Sequence, residues 1–164
     1  DLVRNSLRMR PDRIIVGEVR GKEAFDMLQA MNTGHEGSLT TLHANGPVDA
    51  LNRLETMVLM GNMEIPVGAI RDYIKNAINI IIDVERLSDG RRKISSINEI
   101  VGLNEFGEIA IKEIFSFKQK GLTLSNEVIG EFKRNNYIPK VYEIIKRRGY
   151  NELDDIFNKK KKSK

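Results

Sequence analysis

Two segments constrain the fold of this chain more than anything else in it. Residues 13–19 hold a β-branched apolar run, Ile14-Ile15-Val16-Gly17, that ends in an acid, Glu18, with Pro11-Asp12 before it and Arg20-Gly21 after it. One helical interval later comes Thr33-Gly34-His35-Glu36-Gly37-Ser38-Leu39-Thr40-Thr41-Leu42-His43-Ala44-Asn45, in which residues 38–42 read as a second short strand ending at a histidine. A continuous rather than alternating apolar run is the habit of strands buried on both faces of a parallel sheet, so residues 13–19 are expected to be buried. An acid where such a strand ends, beside a second strand capped by histidine, is how a doubly wound sheet presents groups to a phosphate and its metal.

Composition bounds this reading without deciding it. A chain of 164 residues, 40% hydrophobic and 30% charged, is ordinary globular material with room for one real core and a small appendage. No stretch approaches the ~18 apolar residues of a membrane span and no signal-peptide pattern occurs, so a soluble chain is expected. The absence of cysteine excludes disulfides and thiolate zinc sites and suits a reducing compartment. The net charge of +4 comes from Lys159, Lys160, Lys161, Lys162 and Lys164; without them 22 basic residues face 23 acidic ones, a net of −1. The basic character therefore belongs to a solvated tail, residues 159–164, rather than to a nucleic-acid surface.

The first residue is Asp1 and the chain opens directly into helical spacing, Leu2, Val3 and Leu7, closed by Pro11; a fragment of a longer protein is the expectation. Further helices are expected over residues 22–32, 49–60 and 67–79, the last opened by Pro66. Strand, helix, strand, helix, helix is an α/β order. From residue 80 the pattern changes to a β-meander: residues 80–86 and 93–101 are strands joined through Asp89-Gly90, and residues 102–107 turn into a third strand over 108–118. After Gly121, Ser125 is expected to cap a helix over 127–135, followed by helices at 139–148 and 153–157. The expected division is residues 1–120, 121–158 as a helical segment, and the tail.

A nucleotide site needs an acid that holds the magnesium ion's water shell, and Glu18, on a rigid strand end, fits that task. The competing reading is a turn carboxylate that pairs with Arg20. His43 at the next strand end could touch a γ-phosphate, and His35 sits among glycines that allow close backbone approach. Either histidine alone reads more readily as a packed or hydrogen-bonded residue; together, flanked by Thr33, Thr40 and Thr41, they favour a functional motif. His35, Glu36 and His43 are also conceivable zinc ligands, but an eight-residue spacing across a strand is not the four-residue spacing that places two histidines on one helical face. Arg4, Arg8, Arg10, Arg13 and Arg20 crowd the acid in sequence, either as a solvated face or as cations for phosphate charge at a subunit interface.

The run from Leu7 through Gly21, then Ala24-Phe25-Asp26-Met27-Leu28-Gln29-Ala30-Met31-Asn32-Thr33-Gly34-His35, then Leu42-His43-Ala44-Asn45, resembles the Walker B and histidine boxes of the type II and type IV secretion ATPases. Within that superfamily it most resembles the CpaF-type motor of Tad (Flp) pilus assembly. The likeness continues through Ala50-Leu51-Asn52-Arg53-Leu54-Glu55-Thr56-Met57-Val58 and Arg86-Leu87-Ser88-Asp89-Gly90-Arg91-Arg92-Lys93. It implies the C-terminal part of a RecA-like ATPase domain, with ATP and Mg2+ as ligands. It also implies a homohexamer, an inner-membrane platform protein as partner, no nucleic acid, and a cytoplasmic place at the inner membrane. Glu18 then corresponds to the Walker B acid, His43 to the histidine near the γ-phosphate and His35 to a histidine concerned more with coupling; Arg20 is a further candidate for the site, although the sequence does not say which of the five arginines acts. No Gly-x-x-x-x-Gly-Lys-Ser/Thr loop occurs in the sequence, so this chain alone is expected to be inactive. A noncatalytic docking module and a DNA-handling RecA-like motor are the other classes the residues admit.

Overall fold

In the computed structural model the described residues are 2–35, 37–61 and 64–157; Glu36 and the lysine-rich tail lie outside them. The element order is α1 (Leu2–Leu7), β1 (Ile15–Val16), α2 (Glu23–Asn32), β2 (Leu39–Thr40), α3 (Pro47–Leu59), α4 (Val67–Ala77), β3 (Ile80–Arg86), β4 (Arg92–Leu103), β5 (Ile109–Leu122), β6 (Val128–Arg134), α5 (Lys140–Arg147) and α6 (Asp154–Phe157). The chain divides into two compact units, Asp1–Asp83 with Ile100–Ile111, and Val84–Glu99 with Lys112–Lys164.

The first unit is α/β. Helices α2, α3 and α4 share one core because each carries apolar residues at helical spacing: Ala24, Met27 and Leu28 on α2, Leu51, Leu54, Met57 and Val58 on α3, Ile70 and Ile74 on α4. Val19 and Ile100 complete that cluster. β1 and β2 pair in parallel, Ile15 with Leu39 and Val16 with Thr40. Parallel strands require a helical crossover, and α2 supplies it. The strand over 13–19 was expected to be buried, and here the structure differs. Only Ile15 and Val16 are strand, and although Ile14 and Val19 are buried, Ile15 is 74% exposed and its neighbour Leu39 60%. The apolar run marks a sheet with two apolar faces, of which one meets the core through Val16.

β3 to β6 form a sheet in the order β3-β4-β5-β6, the expected meander carried one strand further. Asp89-Gly90 makes the first turn with Gly90 at φ 80°, and Asn104 to Glu108 the second with Gly107 at φ 72°. The helix expected over 127–135 is instead β6, antiparallel to β5 with Phe117 opposite Phe132. Val128 and Phe132 lie four apart and mimic a helical stripe, but Gly130 is a poor helix former and the Phe117 ring lies over it, where any Cβ would clash. Ser125 accordingly sits in a hairpin turn, not at a helix cap; its hydroxyl lies 2.8 Å from that of Thr123.

In the second unit two carboxylates act as fasteners. Asp89 accepts the Val128 N–H at 2.8 Å and the Arg91 N–H at 3.0 Å, and pairs with the Arg91 guanidinium, which holds its carboxyl well below the usual carboxylate range. Glu99, 2% exposed, accepts the N–H groups of Lys140 and Val141 at 2.9 and 2.8 Å and the hydroxyl of Tyr137. It thereby caps α5, whose first N–H groups have no intrahelical partner. Burial and the neighbouring Glu99 push the Tyr137 hydroxyl up to about 12.

Candidate functional site

The site forms where the two parallel strands end. Regular pairing stops at Val16 and Thr40, and both chains continue past that edge, one into Glu18 and the other into His43. In open α/β sheets this carboxyl edge is the place where ligands bind. Leu39 N–H donates to the Ile14 carbonyl at 3.0 Å and Val19 N–H to the Thr41 carbonyl at 2.9 Å, so the two chains stay in register on both sides of the acid.

Glu18 and His43, 25 positions apart in sequence, meet here. His43 Nε2 lies 3.0 Å from Glu18 Oε1, and Arg20 Nη2 lies 2.6 Å from Oε2. The Arg20 contact holds the Glu18 carboxyl below its ordinary value against an opposing effect of burial; His43 and Arg53, from α3, add smaller effects in the same downward direction. Glu18 is therefore an anion at neutral pH. Its side chain is 24% exposed, whereas those of Arg20 and His43 are 76% and 82% exposed. The approach of the imidazole is not aligned as a hydrogen bond, and Oε1, shielded from solvent, accepts none. A buried acceptor left unpaired is costly unless a ligand or water satisfies it.

His35 is placed elsewhere. It lies before β2, in the turn that follows α2, with Nδ1 donating to the Ala30 carbonyl at 3.1 Å. The Thr33 hydroxyl donates to the same carbonyl, also at 3.1 Å. The Ser38 hydroxyl donates to the His35 carbonyl at 2.8 Å and accepts the Ile14 N–H at 2.9 Å, which ties this turn to the start of β1. The structure thus brings Glu18, Arg20 and His43 together at one end of the strand pair and holds His35 at the other.

The five N-terminal arginines separate as well. Arg20 faces the acid, Arg4 pairs with Asp26 of α2 at 3.0 Å, and the Arg13 side chain lies over Gly37, where a Cβ would stand 3.0 Å from Nε. Arg53 belongs near Glu18 although sequence reasoning gave it no role; the available signal was its position on the helix that follows His43. Two further carboxylates shape the backbone around the site. Glu23 accepts the N–H groups of Arg20 and Gly21 at 2.8 and 3.1 Å, and Asp49 accepts that of Asn45 at 2.8 Å. These bonds fix the segments that leave each strand end. Among the described residues no three His, Asp or Glu side chains converge as a metal-ligand set. Glu18 offers a single carboxylate with an unsatisfied oxygen, which fits a hydrated Mg2+ held through its water better than a directly ligated ion.

Comparison with known proteins matches these features to a family. Residues 1–135 match the family described as type II/IV secretion system protein. The chain is 42% identical over 91 residues to the conjugal transfer protein TrbB of Rhizobium radiobacter, an alignment covering 56% of this chain and 27% of the relative. It is 39% identical over 101 residues to the type IV secretion system protein PtlH of Bordetella pertussis, covering 59% and 30%. Among solved structures, the VirB11 ATPase from the Brucella suis type IV secretion system, in complex with sulphate, superposes with a TM-score of 0.54 at 36% identity, covering 58% of this chain and 30% of that one. The chain spans under a third of the length of these relatives. It belongs to the type II/IV secretion system protein family, and its α/β fold is that of part of a RecA-like ATPase domain.

Proposed function

We propose that this member of the secretion family supplies the metal-holding acid and the phosphate-facing histidine of a homohexameric ATPase, which uses ATP and Mg2+ to drive assembly of a pilus of the Tad type. The observation that carries the reading is Glu18: an anionic carboxylate at the carboxyl edge of a parallel strand pair, its shielded Oε1 3.0 Å from His43 Nε2 and accepting no aligned hydrogen bond.

Bound magnesium would neutralise phosphate charge as the γ-phosphoryl group is transferred to water. Glu18 would hold the hydrated metal through its Oε1, an acceptor that the strand end keeps in place. His43, exposed and beside the acid, donates from a ring nitrogen to a phosphate oxygen. Arg20 is held by a largely exposed ion pair and can exchange Glu18 for a phosphate at little cost. His35, tied to the end of α2, stands away from the phosphates and transmits their state through that helix. The platform protein of the inner membrane is the proposed recipient of the motion, with the hexamer on the cytoplasmic face. Among the described residues no helix is long and apolar enough to cross a membrane. The motif resemblance favours a Tad motor, and the relatives' names extend the range to conjugal transfer and type IV secretion.

The test is Glu18→Gln in the full-length protein. It removes charge and no volume, so nucleotide affinity and fold stay intact while turnover falls by roughly a hundredfold or more. Turnover equal to wild type would return Glu18 to the role of a turn carboxylate.

A further inference from the structure

The strand pairing that positions Glu18 ends at Val16, two residues before it. Gly17 and Glu18 leave the ladder, and the peptide between them could swing the carboxylate away from His43. Two hydrogen bonds prevent this, and both come from Thr41. Its hydroxyl donates to the Gly17 carbonyl at 2.6 Å, and its carbonyl accepts the Val19 N–H at 2.9 Å. One residue therefore grips the chain on both flanks of the acid. Val19, 2% exposed, is also held by the core. Gly17 has no such anchor: it carries no side chain, and no atom lies within 4 Å of where a Cβ would be.

We propose that Thr41 is a positioning residue for the ATPase reaction: its hydroxyl fixes the peptide that carries Glu18, and through its place two residues before His43 it sets the distance between acid and imidazole. The inference rests on the ATPase reading above. Thr41 is itself exposed, so it fills no core volume. Its backbone carbonyl would bond Val19 whatever side chain stood there; the hydroxyl alone is specific to Thr or Ser. Valine has the same shape and strand preference without the donor, which makes the two functions of the residue separable.

The experiment compares wild type, Thr41→Val and Thr41→Ser in the full-length enzyme, measuring hydrolysis against Mg-ATP concentration together with the thermal unfolding midpoint. Thr41→Val is expected to keep the midpoint and KM and to lose about tenfold in kcat, because a displacement near 1 Å at a reacting centre costs on that scale or more. Thr41→Ser, which restores the donor, is expected to return kcat to within about twofold of wild type. Unchanged kcat in Thr41→Val, no rescue by Thr41→Ser, or a midpoint loss in place of a kcat loss would each overturn the proposal while leaving the ATPase reading intact. A wild type that hydrolyses no ATP would overturn the ATPase reading, and this inference with it.

Discussion

Glu18, just past the end of one strand, and Glu99, within another, are both carboxylates, and their surroundings are opposite. Glu99, on β4, is 2% exposed and spends its oxygens on the Tyr137 hydroxyl and the N–H groups of Lys140 and Val141. Glu18, beyond β1, is a quarter exposed, with one oxygen on Arg20 and the other without a hydrogen bond. A carboxylate whose lone pairs are filled by fixed donors is part of the scaffold, and nothing can be exchanged there without loss. A carboxylate held in place but incompletely satisfied is available for chemistry. What separates the two is how much bonding capacity the fold leaves unspent, more than burial or charge.

The sharpest way to break this contrast is to remove Glu99. Glu99→Ala leaves two helix N–H groups and a hydroxyl without the acceptor of their partly buried hydrogen bonds and should destabilise the unit that contains α5 by about 2–3 kcal/mol. Denaturant unfolding followed by amide exchange at Lys140 and Val141 would show it, and a loss under about 1 kcal/mol would make Glu99 dispensable to the scaffold. At the other end, His43→Ala in the full-length protein should reduce hydrolysis by about a hundredfold through lost phosphate contact. His35→Ala, at a distance from the acid, should weaken assembly of the pilus or secretion machine more than hydrolysis, which a steady-state ATPase assay run beside an assembly assay would read. Equal loss of hydrolysis in both would mean that His35 joins the site. A smaller effect probes the meander. Gly130→Ala places a Cβ 2.8 Å from the Lys118 carbonyl oxygen and 2.3 Å from Phe117, and should cost about 1–3 kcal/mol in unfolding free energy without altering turnover of the folded enzyme.

Much of the candidate site was legible because its signals are local. A β-branched run ending in Glu18 and a glycine-bounded histidine turn announce themselves within a dozen residues, as does the Asp89-Gly90 hairpin. The second unit was less so. Residues 127–135 carry apolar spacing that serves a helix as well as a strand, and only pairing with β5 and the seat of Phe117 over Gly130 decide for the strand. Burial of residues 13–19 was overread because a sequence shows which faces are apolar, not which are covered; Ile15 and Leu39 stay exposed. Arg53 was given no role and Thr41 only that of a residue flanking the histidines for the same reason, since what they do lies in the charge Arg53 sets near Glu18 and the Thr41 bond to Gly17, which no spacing rule encodes.

The central claim, that Glu18 holds the catalytic metal through its water and Glu99 does not, can be read directly. Manganese substituted for magnesium in the full-length protein with bound nucleotide, and glutamate carrying 13C carboxyl carbons, permits pulsed electron–nuclear double resonance at the metal. The account predicts a carboxyl coupling from just outside the metal's inner ligands that is present in wild type, retained in Glu99→Gln and lost in Glu18→Gln. A coupling that survives in Glu18→Gln would contradict it.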